Sequence, residues 1–257
     1  MNPNVNELYT YLTESIPTSL SCDWDNDGLM VASDGKRTVN KILLALDVSG
    51  NVIAEAKARG CDAVISHHPL IFKSIKSVND SDTTSEIVIS AVKDDIAVMS
   101  FHTRLDALDG GVNDVLATMI GVKNTANFGP FGEEIGRLGS LDREMTAKDL
   151  ALHVKNVLGA DAVRLTDSGN NVNKVAVLGG GGKDYVIPAA RAGADILVTG
   201  EIGYNTAVIA ADLGISVIEA GHYFTEAPVL AMLESLIARK FPKIVFEYTV
   251  SNPTVTL

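Results

Sequence analysis

Two cysteines in 257 residues, Cys22 and Cys61, are too few for a thiolate zinc site. A disulfide between them is not expected in a reducing compartment, and Cys61, just ahead of an apolar strand, reads as a small buried residue. No apolar run reaches the roughly 18 residues that suggest a membrane span. The start of the chain, Met1 to Glu7, has neither a basic segment nor an apolar core, so no signal peptide is expected and the cytoplasm is the expected location. Excess positive charge is absent as well: the net charge is −11 and no Lys/Arg cluster stands out, which argues against nucleic acid as a partner. There is no G-x-G-x-x-G fingerprint, no P-loop Lys-Ser/Thr pair and no Ser/His/Asp triad. The remaining composition, 46% hydrophobic and 21% charged, is that of a soluble globular chain long enough for one large domain or two lobes.

The order of elements is strand, helix, strand, helix. Lys41 to Asp47, Asp62 to Ser66 and Ile96 to Ser100 are short apolar runs of strand length. Helices are expected over Val52 to Arg59, ended by Gly60, and around Glu86 to Lys93. Near-continuous apolar strands alternating with helices indicate a largely parallel sheet covered on both faces. The fold class is therefore α/β. Further on, a strand is expected around Ile135 to Leu141, an amphipathic helix over Thr146 to Leu158 carrying His153 as an ordinary residue, and a last helix and strand over Thr225 to Lys240 and Lys243 to Val250.

The chain also repeats itself. Lys41 to Phe72 aligns without a gap on Lys174 to Asn205, and Ile96 to Ser100 resembles Ile215 to Glu219. After a one-residue adjustment, His102…Asp106 falls on His222…Glu226. Two related α/β lobes are expected, 1–126 and 127–257, with the metal site where they meet.

Four of the five histidines lie in three short pieces: Ser66-His67-His68-Pro69, His102 to Asp106, and His222 to Glu226. Imidazole and carboxylate are natural ligands of a borderline divalent metal. Four histidines and two carboxylates exceed what one tetrahedral ion needs and suit two ions with open positions. All three pieces follow expected strands, where ligands gather in a parallel sheet. Pro69 restricts His68 to extended backbone, and the doublet can hand one imidazole to each ion. His67, His68, His222, Asp106 and Glu226 are the candidate ligands. His102 is either a ligand or a residue that orients one. Two features are more ambiguous. Gly179 to Gly182 follows a strand at Val175 to Leu178 and reads as a tight strand-to-helix turn, with anion cradling as the alternative. Trp24 to Leu29 holds the only tryptophan, either as a turn with a buried indole or as a cleft segment lined by Asp25 and Asn26.

These motifs resemble the Nif-three-like family, often labelled GTP cyclohydrolase 1 type 2 homologues. The resemblance is carried by W-D-N-x-G-L at Trp24 to Leu29, S-H-H-P-L-I-F at Ser66 to Phe72 and H-T-x-L-D-A at His102 to Ala107. It continues through G-G-V-N-D at Gly110 to Asp114, T-G-E at Thr199 to Glu201 and G-H-Y-x-x-E at Gly221 to Glu226. It implies a two-lobed fold, a dinuclear metal site held by His67, His68, Asp106, His222 and Glu226 with His102 close by, and a toroidal homohexamer. Two departures are visible: Arg104 stands where Asn is common, and Asn205 where some members carry histidine. Arg104 either favours an anionic substrate or points away and pairs with a surface acid.

Two divalent ions (Zn, Mn, Fe, Co or Ni) acidify water and stabilise developing negative charge. The expected activity is that of a metal-dependent hydrolase acting on a small nucleotide, pterin-like or other phosphorylated metabolite. Glu201 and Asp47 are the candidate general bases. The alternative is a non-enzymatic metal-binding scaffold, regulatory protein or metal carrier.

Overall fold

The computed structural model describes residues 1–255. The chain divides into two compact units, the first made of Met1–Leu105 and Leu230–Ser251, the second centred on Asp106–Val229. The first unit opens with α1 (Val5–Ser15) and then runs β1 (Gly28–Val31), β2 (Lys41–Ala45), α2 (Gly50–Ala58), β3 (Ala63–Ser66), α3 (Thr83–Lys93) and β4 (Ala97–Ser100). After α4 (Thr103–Ala107), the second unit holds α5 (Val112–Ile120), β5 (Lys123–Phe128), β6 (Gly136–Thr146), α6 (Ala147–Leu158), β7 (Arg164–Thr166) and β8 (Asn171–Gly181). It goes on through α7 (Val186–Arg191), β9 (Ile196–Glu201), α8 (Tyr204–Leu213), β10 (Ser216–Glu219) and α9 (His222–Glu226). The chain then returns to the first unit as α10 (Val229–Lys240) and β11 (Val245–Tyr248).

The first sheet has the order β1-β4-β3-β2-β11, parallel except where β1 joins β4. The second has the order β5-β6-β8-β9-β10-β7, with β8, β9 and β10 parallel and the flanking strands antiparallel. A boundary at 126/127 is not what the contacts define. The second unit begins near residue 106, and the C-terminal strand pairs with β2 rather than staying with its sequence neighbours.

The internal repeat survives at the level of register. Ile42 sits beside Ala63, and Val175, its partner in the alignment, sits beside Ile196, the partner of Ala63. The same carboxylate device closes both units. Asp62 accepts from the backbone N–H groups of Asn40 and Lys41, and Asp195 from those of Asn173 and Lys174. Lys41 donates to the carbonyl of Arg59, as Lys174 does to that of Ala192.

Burial follows the expected pattern. β2, β3 and β4 are buried along nearly their whole length, because helices or loops cover both faces. In the second unit, α5 and α6 pack Leu116, Ile120, Leu150 and Val154 on one sheet face, while Tyr185, Val186 and Ile215 belong to a separate cluster with Leu178 and Leu197. Helix starts carry their caps. Asn4 accepts from Glu7 N at 2.9 Å while the Glu7 carboxylate accepts from Asn4 N at 2.9 Å, a complete capping box on α1. Asn4→Ala is expected to cost about 1 kcal/mol in chemical denaturation. The expected helix over Thr225 to Lys240 is in fact two helices, since Pro228 lacks the N–H that would continue the first one. No disulfide joins Cys22 and Cys61, and burial pushes the Cys61 thiol up. No helix among the described residues is long and apolar enough to cross a membrane.

Candidate metal centre

In the first unit the chemistry gathers at the carboxyl ends of three neighbouring strands. Asp47 follows β2, His67 and His68 follow β3, and His102 follows β4. One backbone and one side-chain hydrogen bond hold the turn: His68 N donates to Leu46 O at 2.9 Å, and Ser66 Oγ donates to His68 O at 2.8 Å. Ring centroids of His67, His68 and His102 lie 5.0, 5.3 and 5.6 Å apart pairwise.

Each of the three rings is oriented through Nδ1. His67 Nδ1 lies 2.9 Å from Phe101 O, His68 Nδ1 2.7 Å from Asp47 Oδ1 and His102 Nδ1 2.9 Å from Asp25 Oδ1. A carbonyl or carboxylate at that distance accepts from Nδ1–H, which puts the lone pair of the neutral ring on Nε2. This is the arrangement typical of metal-ligating histidine. One donor nitrogen from each of the three rings lies within 4.8 Å of the others. A tetrahedral ion, at about 2.0–2.1 Å from each nitrogen, holds its ligands roughly 3.3 Å apart, so the donor set fits a divalent cation after a small closure.

Asp25 is the residue that sequence reasoning undervalued. Its side chain is fully buried, and burial alone would raise its pKa. The bonds from His102 and from Thr103 N and Oγ1 outweigh that and hold it down at about 2. Nearby, Asp27 accepts from His102 N at 3.0 Å and from Arg104 Nε at 2.9 Å. The density of carboxylates in Asp23-Trp24-Asp25-Asn26-Asp27 was the available signal. Trp24, read as a possible buried indole, is instead 53% exposed. Arg104 is fully buried: it pairs with Asp27, donates to Ile16 O at 3.2 Å and lies 4.6 Å over the Phe101 ring.

In the second unit the equivalent strand ends carry the Gly179–Gly182 run, Glu201 and His222. The glycines are not a strand-to-helix turn. Gly179 to Gly181 complete β8, and Gly181 still pairs with Glu201. Their smallness admits α9. A Cβ on Gly180, which sits at φ +66°, would collide with the Glu226 carboxylate and lie 2.9 Å from His222 Nε2. A Cβ on Gly200 would reach the Gly180 carbonyl and the His222 backbone. His222 Nδ1 faces Glu201 Oε1 at 3.1 Å, and Nε2 faces the buried Glu226 Oε2 at 3.1 Å. An imidazole between two carboxylates calls for a positive charge on the Nε2 side, supplied by a proton or by a cation ligated by both residues. Asp106, 7% exposed, has its backbone carbonyl held by Asn113 Nδ2, while Asn113 Oδ1 accepts from Gly179 N at 2.8 Å. His153 only bonds the Ile120 carbonyl, as an ordinary helix residue does.

Strand-end imidazoles with fixed Nδ1 partners, in a two-unit α/β chain, define a class: proteins with a candidate divalent-metal site at the carboxyl ends of parallel strands. The chain belongs to the DUF34/NIF3 (NGG1p interacting factor 3) family, whose model matches residues 3–254. It is 32% identical over 253 residues to the GTP cyclohydrolase 1 type 2 homolog of Clostridium perfringens, with 96% of each chain covered. Its fold is similar to that of a hypothetical protein of Staphylococcus aureus, at 26% identity, TM-score 0.88 and 100% of both chains. A Bacillus cereus protein related to NIF3 shares the fold at TM-score 0.89 and 23% identity, over 100% of this chain and 99% of that one.

Proposed function

We propose that this chain is a dinuclear metal-dependent hydrolase acting on a small nucleotide, pterin-like or other phosphorylated metabolite. The observation that carries the reading is the set of three imidazoles in the first unit, each with Nδ1 committed to its own acceptor. The second unit carries further candidate donors of its own, His222, Glu226 and Asp106. Bound divalent ions would supply Lewis acidity and acidified water at neutral pH. The protein residues do the rest. Asp25 and Asp47 hold His102 and His68 in one tautomer, and Phe101 O does the same for His67. Glu201 keeps His222 aimed at Glu226, and its side chain is 65% exposed, so it is placed to take a proton from solvent or substrate. Asp47, 45% exposed, is the other candidate base. The relative's name supports hydrolytic ring chemistry without assigning it to this chain.

The test is turnover across a panel of nucleotides, pterins and phosphoesters, with metal content read by mass spectrometry on untagged protein. Metal-loaded protein with no turnover on any of them, and no difference from Asp106→Ala, would sink the hydrolase and leave a metal-binding scaffold or carrier. Asp25→Asn is expected to weaken metal binding about 10- to 100-fold while leaving the fold intact, because His102 loses the carboxylate that orients it. Competition with a chelator of known affinity measures this. We propose further that the protein works as a homohexamer in the cytoplasm, and light scattering coupled to size exclusion reads the number of chains directly.

A further inference from the structure

His102 is held at two points. Its ring is fixed by Asp25 Oδ1, 2.9 Å from Nδ1. Its main chain is fixed by Asp27 Oδ2, which accepts from His102 N at 3.0 Å. A ring tied at one nitrogen still moves with the backbone that carries it, so the second bond decides where Nε2 stands. The same Asp27 oxygen accepts from Arg104 Nε at 2.9 Å. One carboxylate oxygen thus ties the backbone of His102 to the guanidinium of Arg104. That guanidinium lies 4.6 Å over the ring of Phe101, the residue whose carbonyl holds His67 Nδ1.

The ion pair is interior. The Arg104 side chain is 0% exposed and that of Asp27 5%. Nη1 of the arginine donates to Ile16 O at 3.2 Å, and Asp27 Oδ1 accepts from Ser21 Oγ at 3.3 Å. Gly28 closes another side. It sits at φ +121°, and a Cβ there would stand 2.8 Å from Tyr9 Oη and 3.5 Å from Arg104 Nη2. A buried pair of this kind is a poor source of stability. Desolvating two charges offsets most of their attraction, and a well-packed apolar pair of similar volume does as well. What the pair does supply is one geometry. The guanidinium has fixed donor directions, and Asp27 cannot shift without leaving a buried charge unmatched.

From this arrangement we propose that Arg104, acting through Asp27, is a positioning residue for the imidazole cluster. It fixes the main chain of Phe101 and His102, while Asp25 fixes the His102 ring. The inference rests on the reading of the cluster as a metal site. It adds a task for a charge that is too deeply buried to meet a substrate from solvent.

The test uses the full chain and cobalt(II), whose visible absorption reports the number and arrangement of its ligands. Affinity is read by competition with a chelator, and stability by chemical denaturation of the metal-free protein. Arg104→Met keeps the bulk and strands Asp27. It is expected to lower the denaturation midpoint and to weaken cobalt binding about tenfold or more. Arg104→Met combined with Asp27→Leu leaves no buried charge. Its midpoint is expected to return toward that of wild type, while cobalt binding stays about tenfold or more weaker and the absorption bands stay altered. A pair that served stability alone would recover both together. Asn4→Ala, which removes only the cap of α1, is expected to lower the midpoint and leave the cobalt spectrum unchanged. The double variant carries the comparison even where Arg104→Met alone does not fold. A double variant that binds cobalt as wild type does, or regains affinity in step with stability, overturns the positioning role and leaves the metal site standing. Wild type that takes up no cobalt overturns the metal reading itself, and this inference with it.

Discussion

His67→Ala combined with His68→Ala is expected to reduce bound divalent metal from about two ions per chain to well below one. The expectation follows from geometry rather than from the number of histidines. Both rings have Nδ1 engaged, by Phe101 O and Asp47, so Nε2 is the donor that each contributes. Removing both leaves His102 as the sole imidazole of the first unit's cluster, too few for a stable site. The fold should survive. His67 is fully buried, so its loss leaves the Phe101 carbonyl short of one donor, at about 1–3 kcal/mol. Circular dichroism and metal analysis on the same sample separate the two effects. A folded double variant that still carries two ions would remove the dinuclear proposal outright.

The fold, and the strand-end placing of the candidate site's histidines, were readable because parallel α/β architecture ties chemistry to strand ends. Apolar runs at residues 41–45, 63–66 and 97–100 mark the strands, and the residues that follow each are where the chain turns. The repeat was readable for the same reason. A 133-residue offset that aligns apolar runs also aligns register, so Asp62 and Asp195 perform the same task. The misjudged parts depend on contacts distant in sequence. Nothing local says that β11 crosses back to β2. The Gly179–Gly182 run has the look of a turn, and only the approach of α9 explains its composition. Arg104 reads from sequence as a charge facing an anionic substrate or paired with a surface acid, but its partner is Asp27, far away in sequence and in the interior. Asp25 escaped because a carboxylate's partner is set by the fold, not by spacing.

Arg137 was invisible to pattern reading, yet its replacement is expected to have the largest effect on stability. It begins as an ordinary residue of β6 and ends 2% exposed, with every guanidinium nitrogen engaged. Nε donates to Asp114 Oδ1 at 2.9 Å and Nη2 to Asp114 Oδ2 at 3.0 Å, a bidentate pair. Nη1 donates to Ile135 O and Gly136 O, and Nη2 also reaches Ala107 O and Leu108 O, both at 3.1 Å. The last two carbonyls directly follow Asp106, whose own carbonyl is held by Asn113. Arg137→Met strands Asp114 and these carbonyls at once. The expected loss is about 3–5 kcal/mol in chemical denaturation, as for other broken buried ion pairs. Arg137→Lys should rescue little, since an ammonium has three donors on one atom where the fork has five on three. Chelator-resistant metal should fall in parallel, because the turn that presents Asp106 loosens. If the lysine variant unfolds within about 0.5 kcal/mol of wild type, the fork is not what organises this turn, and Asn113 alone is left to position the Asp106 backbone.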